Sequence, residues 1–291
     1  GKNREVLLDL VARFNAEQRQ DFVLPTYQGD YFEALAKLRT ALAADVAPTF
    51  THVVGEVVPY LAEANVLEPL DGYPGAREFG FVSQLSQHGG YVGGNAASAP
   101  LYCVPFNRST PIMYANGNML AEAGLKLPTT WTELREAARV LTRRDGAVTT
   151  RFGFEVPVNW WFWVAMVGQA GGTLIAPNGD LVLGGEGGER ALAYWQDLVH
   201  RDRSMRPPPG RDYNAWQATN QDFLAGRAAL IWTSTAFLRY LEENAKFPVV
   251  AAKLPYDVRP ACPTGGTHFV VVRRAPTAEK EAAFIREVVQ Y

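Results

Sequence analysis

Helical and strand-like segments alternate along the first quarter of the chain, and this alternation limits the possible folds more than any other feature of the sequence. Apolar residues recur at helical spacing near the start, and later segments repeat that period between short apolar runs. In chain order we predict a helix at 6–14, a strand at 21–27, a helix at 30–44, a strand at 47–54 and a helix at 57–68. Such a rhythm indicates an α/β lobe with a largely parallel sheet.

The rest of the chain shows the same alternation, so a second α/β lobe is expected. Thr130 and Glu133 have the spacing of a capping box at a helix start. We predict two helices within 117–144, further helices at 189–202, 220–227 and 233–247, and strands at 227–233 and 248–256. A length of 291 residues suits two domains, because domains commonly contain roughly 100–200 residues.

Composition and motifs argue against several classes of function. Hydrophobic residues make up 47% of the chain and charged residues 20%, which is typical of a folded protein. A formal charge of −2 leaves no basic surface for nucleic acid. No apolar run reaches the roughly 18–20 residues of a membrane span. The four histidines lie outside any metal-binding or catalytic motif. We therefore expect no nucleic acid, no metal ion and no cofactor.

Cys103 and Cys262 are the two cysteines of the chain, and their spacing is not that of a metal site. They could be two buried thiols. They could also form a disulfide that closes a long loop, which requires an oxidising compartment. The sequence leaves both interpretations open.

The stretch 104–117, VPFNRSTPIMYANG, departs from the alternation seen elsewhere. Two apolar strand-like runs are joined through a polar segment bounded by prolines, with no helix between them. Hydroxyl and amide side chains are therefore concentrated where one strand passes into the next.

Five segments, in this order, resemble the extracytoplasmic solute-binding proteins of bacterial ABC importers (family 1, sugar-type), and most of all their glycerol-3-phosphate/glycerophosphodiester-binding branch. The segments are LPTYQGDYFE, VPFNRSTPIMYAN, AGLKLPTTWTELREAA, GGTLIAPNGDLVL and FLAGRAALIWTST. The resemblance implies a periplasmic-binding-protein type II fold, with two α/β lobes joined by a hinge with crossover strands. Lobe one would comprise 1–109 and 257–291, and lobe two 110–256, with the family's terminal segments missing at both ends.

The function implied by this resemblance is the binding of a small polar solute, glycerol-3-phosphate or a glycerophosphodiester. The lobes would close on the ligand and deliver it to the membrane permease of an ABC transporter. The protein would be a monomer without catalytic activity, exported to the periplasm or the outer face of the cytoplasmic membrane, with its leader absent from this chain. One alternative is a mono- or oligosaccharide-binding protein of the same class. A distant alternative is a glycan-active enzyme, whose paired carboxylates need not be adjacent in sequence.

Four positions match ligand-contacting positions of the family, namely Tyr31, Ser109, Ser234 and Gly266. Each also has an ordinary structural interpretation. Tyr31 could pack at a helix start, and Ser109 could cap a turn. Ser234 could be a helix N-cap, and Gly266 could be a turn glycine.

An aromatic pair and a glutamate complete the expected site. Trp160 and Trp163 resemble the tryptophans that wall the family's pocket, although they could equally belong to a core. Aromatic faces suit sugar rings, glycerol C–H surfaces or a choline cation. The family's glutamate, which binds glycerol hydroxyls, aligns with Gly55. Either a local shift puts Glu56 in its place or the hydroxyl pattern of the ligand differs.

A bound phosphate is expected to be held by hydroxyls and helix N-terminal N–H groups, chiefly those of Ser109 and Ser234, rather than by lysine. The family's binding residues beyond Tyr291, typically a tyrosine and an arginine, have no assigned counterpart.

Overall fold

The structure is a computed structural model that describes residues 2–73, 76, 100–176, 180–182, 185–210 and 212–273. The chain forms two compact units. Unit 1 consists of Gly1–Arg108 and Gly265–Tyr291, and unit 2 consists of Ser109–Thr264. Unit 2 is therefore inserted into unit 1, and the chain passes between them at 108/109 and at 264/265.

Helices and strands alternate through both units. The α-helices are α1 (Lys2–Glu17), α2 (Tyr31–Ala43), α3 (Val58–Glu63), α4 (Gly117–Glu122), α5 (Trp131–Leu141), α6 (Trp160–Gln169), α7 (Glu186–Gln196), α8 (Asp212–Leu224) and α9 (Leu238–Asn244). The strands are β1 (Phe50–Val54), β2 (Cys103–Ser109), β3 (Pro111–Asn116), β4 (Arg143–Asp145), β5 (Val148–Glu155), β6 (Met205–Arg206), β7 (Ala228–Ser234), β8 (Val249–Ala252) and β9 (Gly265–Val271). Short 3-10 turns cover Gly55–Val57, Leu70–Gly72 and Thr235–Phe237, and a π-helical turn, Asp197–Arg201, follows α7.

The described part of unit 1 contains a three-stranded sheet in the order β1-β9-β2. β1 and β9 are antiparallel, with Phe50 opposite Val271 and Val54 opposite Thr267. The expectation of a largely parallel sheet is therefore wrong for this pair. β9 belongs to the segment that follows unit 2, so the local rhythm of helices and strands could not reveal its direction.

The core of unit 1 forms where apolar side chains of α2, α3 and the sheet meet. Its buried members include Leu38, Val53, Val58, Leu61, Leu67, Cys103 and Val270. Burial raises the pKa of the Cys103 thiol to about 12. Cys262 lies in unit 2, where it is an exposed, free thiol. The interpretation as a buried thiol therefore holds for Cys103 and fails for Cys262, and the free state of Cys262 contradicts the disulfide.

The segment 21–27 forms no strand, so the prediction of a strand there is wrong. Burial does alternate along it, because Val23 is buried while Phe22 and Leu24 are exposed. A strand also needs a hydrogen-bonded neighbour, and no described residue pairs with this segment as a strand. The Asn15 side chain bonds to it instead, accepting from the Val23 N–H at 2.8 Å and donating to the Val23 carbonyl at 2.9 Å.

Two helices begin at capping boxes. At α2, the Asp30 carboxylate accepts from the Glu33 N–H at 2.9 Å, and the Glu33 carboxylate accepts from the Asp30 N–H at 3.1 Å. At α5, the same exchange between Thr130 and Glu133 confirms the predicted box. Each box satisfies N–H groups that a helix start leaves without intrahelical acceptors.

Unit 2 is built on a mixed six-stranded sheet. Its main path is β4-β5-β7-β3-β8, and β6 pairs with β5. β7 runs parallel to β5 and antiparallel to β3. The core against this sheet is rich in large side chains, among them Trp131, Leu134, Phe154, Phe162, Met166 and Trp232, all of them buried.

A polar cluster is buried beside this core. Glu155, the last residue of β5, is 0% exposed. Asp222 of α8 pairs with Arg206 at 2.7 Å and with Arg227 at 2.5 Å. Burial and, second, the Asp222 carboxylate raise the pKa of Glu155 to about 8, although Arg206 partly opposes them. Glu155 therefore keeps its proton at neutral pH.

Candidate functional site

The predicted site residues divide between the two units, and each group has its own setting. Unit 1 contains Tyr31, Glu56 and Gly266, and unit 2 contains Ser109, Ser234, Trp160 and Trp163.

Asn107 organises the group in unit 1. Its φ of 39° places a non-glycine residue in the left-handed region in the middle of β2, a conformation that asparagine tolerates better than most residues. The Asn107 Oδ1 accepts from the Thr267 N–H at 2.9 Å and from the Thr267 hydroxyl at 2.6 Å. The crossover strand is thus tied to β9 through a side chain.

Tyr31 is connected to the same asparagine. The Asn107 Nδ2 donates to the Tyr31 hydroxyl oxygen over 3.2 Å. Tyr31 is the first residue of α2 and is 42% exposed, and its ring meets His52 edge-on with centroids 6.3 Å apart. The side chain is therefore packed on one side and open to solvent on the other, so both interpretations of Tyr31 remain compatible with its position.

Gly266 is required where β9 passes β2. Its φ is +100°, and a Cβ added there would lie 2.3 Å from the Asn107 carbonyl oxygen. The Gly266 carbonyl accepts from Arg108 Nη1 at 3.2 Å. Close approach of two backbones explains this glycine without a bound molecule, and it also exposes no Cβ to any ligand that meets this backbone.

Arg108 is the residue of this site that the sequence analysis missed. Its side chain is half-buried next to Gly266, and burial lowers the pKa of its guanidinium while the nearby Glu56 carboxylate opposes that shift. The signal was present in the sequence, because Arg108 is the one cationic residue in the stretch 104–117.

Gly55 and Glu56 occupy different environments. Gly55 is buried, and a Cβ there would lie 2.9 Å from His268 Cε1 and 3.3 Å from Arg108 Nη1. A larger side chain at position 55 would have to displace both neighbours. Glu56 is exposed on the 3-10 turn and is close enough to Arg108 to raise the pKa of its guanidinium. Position 56, not 55, can therefore carry a carboxylate here.

The rings of His52, Phe106 and Phe269 pack together in unit 1, beside the residues described above. His52 meets Phe106 and Phe269 edge-on, at centroid distances of 6.1 and 6.3 Å. Burial lowers the pKa of His52, so the imidazole is neutral at neutral pH. Its Nδ1 has no hydrogen-bond partner among the described residues.

The two serines of unit 2 lie at the same end of its sheet. Pro111 of β3 is opposite Ser234 of β7. One step further, the Thr110 N–H donates to the Thr235 hydroxyl at 3.2 Å, and the Thr235 N–H donates to the Thr110 carbonyl at 3.0 Å. Ser109 is the residue before Thr110, so the register of β3 and β7 brings Ser109 and Ser234 to one edge of unit 2.

Ser234 caps a short 3-10 turn. Its hydroxyl oxygen accepts from the Ala236 N–H at 3.2 Å, and the side chain is 7% exposed. The helix predicted at 233–247 is therefore a 3-10 turn, Thr235–Phe237, followed by α9. Capping uses a lone pair of the Ser234 oxygen and leaves the hydroxyl proton available for donation.

The two tryptophans lie on the first turn of α6 and differ in exposure. Trp160 is 47% exposed, whereas Trp163 is half-buried and packs against the core of unit 2. Trp161 and Phe162 between them are buried. An accessible aromatic face is therefore present at Trp160, and the core interpretation describes much of Trp163.

Within the described ranges, no group of three or more histidine, cysteine, aspartate or glutamate side chains is arranged to hold a metal ion. None of the helices in those ranges is long and apolar enough to span a membrane.

Comparison with known proteins agrees with the resemblance found in the sequence. The family described as "Bacterial extracellular solute-binding protein" matches residues 9–290. The sn-glycerol-3-phosphate-binding periplasmic protein UgpB of Escherichia coli (strain K12) is 25% identical over 259 residues, which cover 85% of this chain and 57% of the relative. UgpB of Pectobacterium atrosepticum is 23% identical over 261 residues. The chain thus spans just over half the length of these curated relatives.

Solved structures share the fold. UgpB from Mycobacterium tuberculosis in complex with glycerophosphocholine has a TM-score of 0.78 at 23% identity, covering 97% of this chain and 69% of the other. The maltose/maltodextrin-binding domain MalE from Bdellovibrio bacteriovorus bound to maltotriose has a TM-score of 0.79 at 16% identity, covering 99% and 73%. The expected periplasmic-binding-protein type II fold is therefore confirmed.

Proposed function

The chain belongs to the family of bacterial extracellular solute-binding proteins, and on that premise we propose that it binds glycerol-3-phosphate or a glycerophosphodiester outside the cytoplasm. It passes this ligand to the membrane permease of an ABC transporter, acts as a monomer, and makes or breaks no covalent bond. The choice of ligand is supported by curated relatives that are named for binding sn-glycerol-3-phosphate.

The observation that carries this proposal is the pair of serines at one edge of unit 2. The Ser234 oxygen already accepts from the Ala236 N–H, so its proton can be donated to a ligand oxygen. Ser109 lies at the same edge because β3 and β7 pair in the observed register. Hydroxyl donors of this kind suit a phosphate group, which accepts hydrogen bonds on every free oxygen.

A neutral saccharide is the second candidate, favoured by the exposed face of Trp160. A structural neighbour named as a maltose/maltodextrin-binding domain, and solved with maltotriose bound, has the same fold, which supports this alternative as well. A sugar stacked on Trp160 would depend on that ring more than on Ser234. A glycan-active enzyme is a third possibility, and it would turn over a glycoside that the proposed binding protein returns unchanged.

Calorimetric titration of the Ser234→Ala variant tests the proposal. A charge-assisted hydrogen bond contributes about 1.5–3 kcal/mol, so its loss should weaken binding of glycerol-3-phosphate or glycerophosphocholine by about 10- to 150-fold. Maltose affinity should change less.

Thr130→Ala is the matched control, because it removes another hydroxyl N-cap of unit 2, at α5. It should leave every affinity unchanged. Unaltered binding of both phosphate ligands by Ser234→Ala, with maltose binding lost in Trp160→Ala, would establish the saccharide alternative instead.

A further inference from the structure

Arg108 has no assigned role, although it interacts with all three predicted site residues of unit 1. Arg108 donates to the Gly266 carbonyl at 3.2 Å and interacts electrostatically with Glu56 and Tyr31. We propose that Arg108 is a specificity-determining residue that selects an anionic ligand by bonding its phosphate oxygens. This inference rests on the proposed function, and it adds a residue that the serine pair does not include.

The backbone around Arg108 is held in one conformation. The Thr267 N–H can only donate, so the Asn107 atom facing it must be the carbonyl oxygen, and the orientation of that amide is determined. The backbone of Asn107 is in the left-handed conformation. Its carbonyl oxygen lies so close to Gly266 that a Cβ on residue 266 would not fit. Arg108 follows directly, and its Nη1 is fixed on the Gly266 carbonyl. Its position is therefore set before any ligand arrives.

The Tyr31 hydroxyl is directed by the same amide. Since the Asn107 oxygen faces Thr267, its Nδ2 faces Tyr31 and donates to the phenol oxygen at 3.2 Å. That bond occupies the Tyr31 oxygen as an acceptor and leaves its single proton for donation. A guanidinium and a phenol O–H thus occur together, and both groups donate. Their natural partner is a group that only accepts, such as an oxyanion.

Glu56 further limits the class of ligand that this group of residues can bind. It is exposed, carries the opposite charge and lies close to Arg108. A carboxylate is negatively charged, so it repels a phosphate. It only accepts hydrogen bonds, so it binds hydroxyl groups. A ligand that satisfies both Arg108 and Glu56 must carry an oxyanion and hydroxyl groups. Glycerol-3-phosphate and its diesters have this arrangement, whereas a neutral sugar offers no charge to Arg108.

The guanidinium can bind the protein and the ligand at once. Arginine has five N–H donors in a planar fork, so one guanidinium can contact more than one acceptor. A lysine at this position would keep the positive charge but lose the planar arrangement of several N–H donors. We therefore expect Arg108→Lys to retain part of the affinity that Arg108→Gln loses.

Calorimetric titration of the purified protein with glycerol-3-phosphate, glycerophosphocholine and maltose separates the outcomes. Arg108→Gln should weaken both phosphate ligands by about 10- to 150-fold, and Arg108→Lys by less. Arg13→Gln is the matched control, since Arg13 is an exposed arginine of α1 and the change in net charge is identical. Arg13→Gln should bind all three ligands as the wild-type protein does. The Arg108 variants should show the same affinity for maltose as the wild-type protein.

A measurement on the wild-type protein covers the case in which Arg108→Gln does not fold. Phenylglyoxal modification, mapped by mass spectrometry, should be slowed at Arg108 by glycerol-3-phosphate and unchanged at Arg13. Full phosphate affinity in Arg108→Gln, or modification of Arg108 unaffected by ligand, overturns the role of Arg108 and leaves the proposed function standing. A wild-type protein that binds maltose and neither phosphate ligand overturns the proposed function and this inference together.

Discussion

Among the described glycines of unit 1, Gly266 is the one at which an added Cβ would meet backbone atoms of another strand. The added Cβ would lie 2.3 Å from the Asn107 carbonyl oxygen, and the φ of +100° disfavours any L-residue. We expect Gly266→Ala to lower the free energy of unfolding by about 3 kcal/mol, measured by chemical denaturation.

Gly124→Ala supplies the control for the backbone conformation alone. Gly124 also has a positive φ, +64°, but a Cβ there meets nothing within 4 Å. Its cost should be about 1 kcal/mol. Equal losses in the two variants would show that the close approach of β9 to Asn107 does not exist in solution.

Asn107 contributes both a backbone conformation and three side-chain hydrogen bonds. Asn107→Ala should lower the free energy of unfolding by about 2–4 kcal/mol, because it removes the bonds to Thr267 and Tyr31 and keeps a Cβ at a φ of 39°. Asn107→Gly loses the same bonds without the steric penalty, so its loss should be smaller by about 1 kcal/mol. Denaturation of both variants measures the difference, and an alanine variant as stable as the glycine one contradicts a left-handed Asn107.

Individual site residues were predictable only where a motif singled them out. Tyr31 and Gly266 were found through resemblance, and the structure brings both to Asn107. The sequence did not single out Arg108, because the residues with which it interacts, Gly266 and Glu56, are distant in sequence. Such a role becomes visible only when the strands are paired.

At the scale of elements, a buried carboxyl group at the end of β5 interacts electrostatically with Asp222 of α8. The pKa of Glu155 is raised to about 8 by burial and by Asp222, against an unfolded value of 4.5. Between about pH 4.5 and 8, Glu155 therefore carries a proton in the folded state, whereas the unfolded state has already released it. The contribution of Glu155 to stability is greatest below this window and falls as the pH rises through it, by up to about 1.4 kcal/mol per pH unit.

Glu155→Gln tests this dependence. Glutamine keeps the shape of the protonated acid and cannot ionise, so the free energy of unfolding should lose most of its decline between pH 5 and 8. Glu136→Gln is the control, since Glu136 is an exposed carboxylate of α5. Urea denaturation at each pH gives the comparison, and a decline that persists in Glu155→Gln would assign it to other groups.

Elements could be predicted where local chemistry decides them. The start of α5 followed from Thr130 and Glu133, whose hydrogen bonds stay within one turn. The strand predicted at 21–27 failed, because a strand depends on a partner that its own sequence does not specify. The helix predicted at 233–247 was shortened for a related reason, since Ser234 begins a 3-10 turn before α9.

At the scale of the whole molecule, resemblance to a family predicted the fold class, and the residue pattern alone did not. Alternating helices and strands indicate an α/β protein, but they leave open which strands pair. The antiparallel partner of β1 is β9, which lies on the other side of the whole of unit 2 in the sequence. A pairing across such a distance leaves no local trace.

That pairing sets an order for biosynthesis. In the described part of unit 1, β9 is the central strand of the sheet, between β1 and β2, and it is the last of the three to leave the ribosome. Unit 2 occupies the uninterrupted stretch Ser109–Thr264, so it can fold while unit 1 still waits for its middle strand. At 5–20 residues per second, the 156 residues of that stretch delay the central strand by roughly 8–30 s. During that interval the nascent chain exposes the unpaired edges of β1 and β2, which are the surfaces that a chaperone would have to shield.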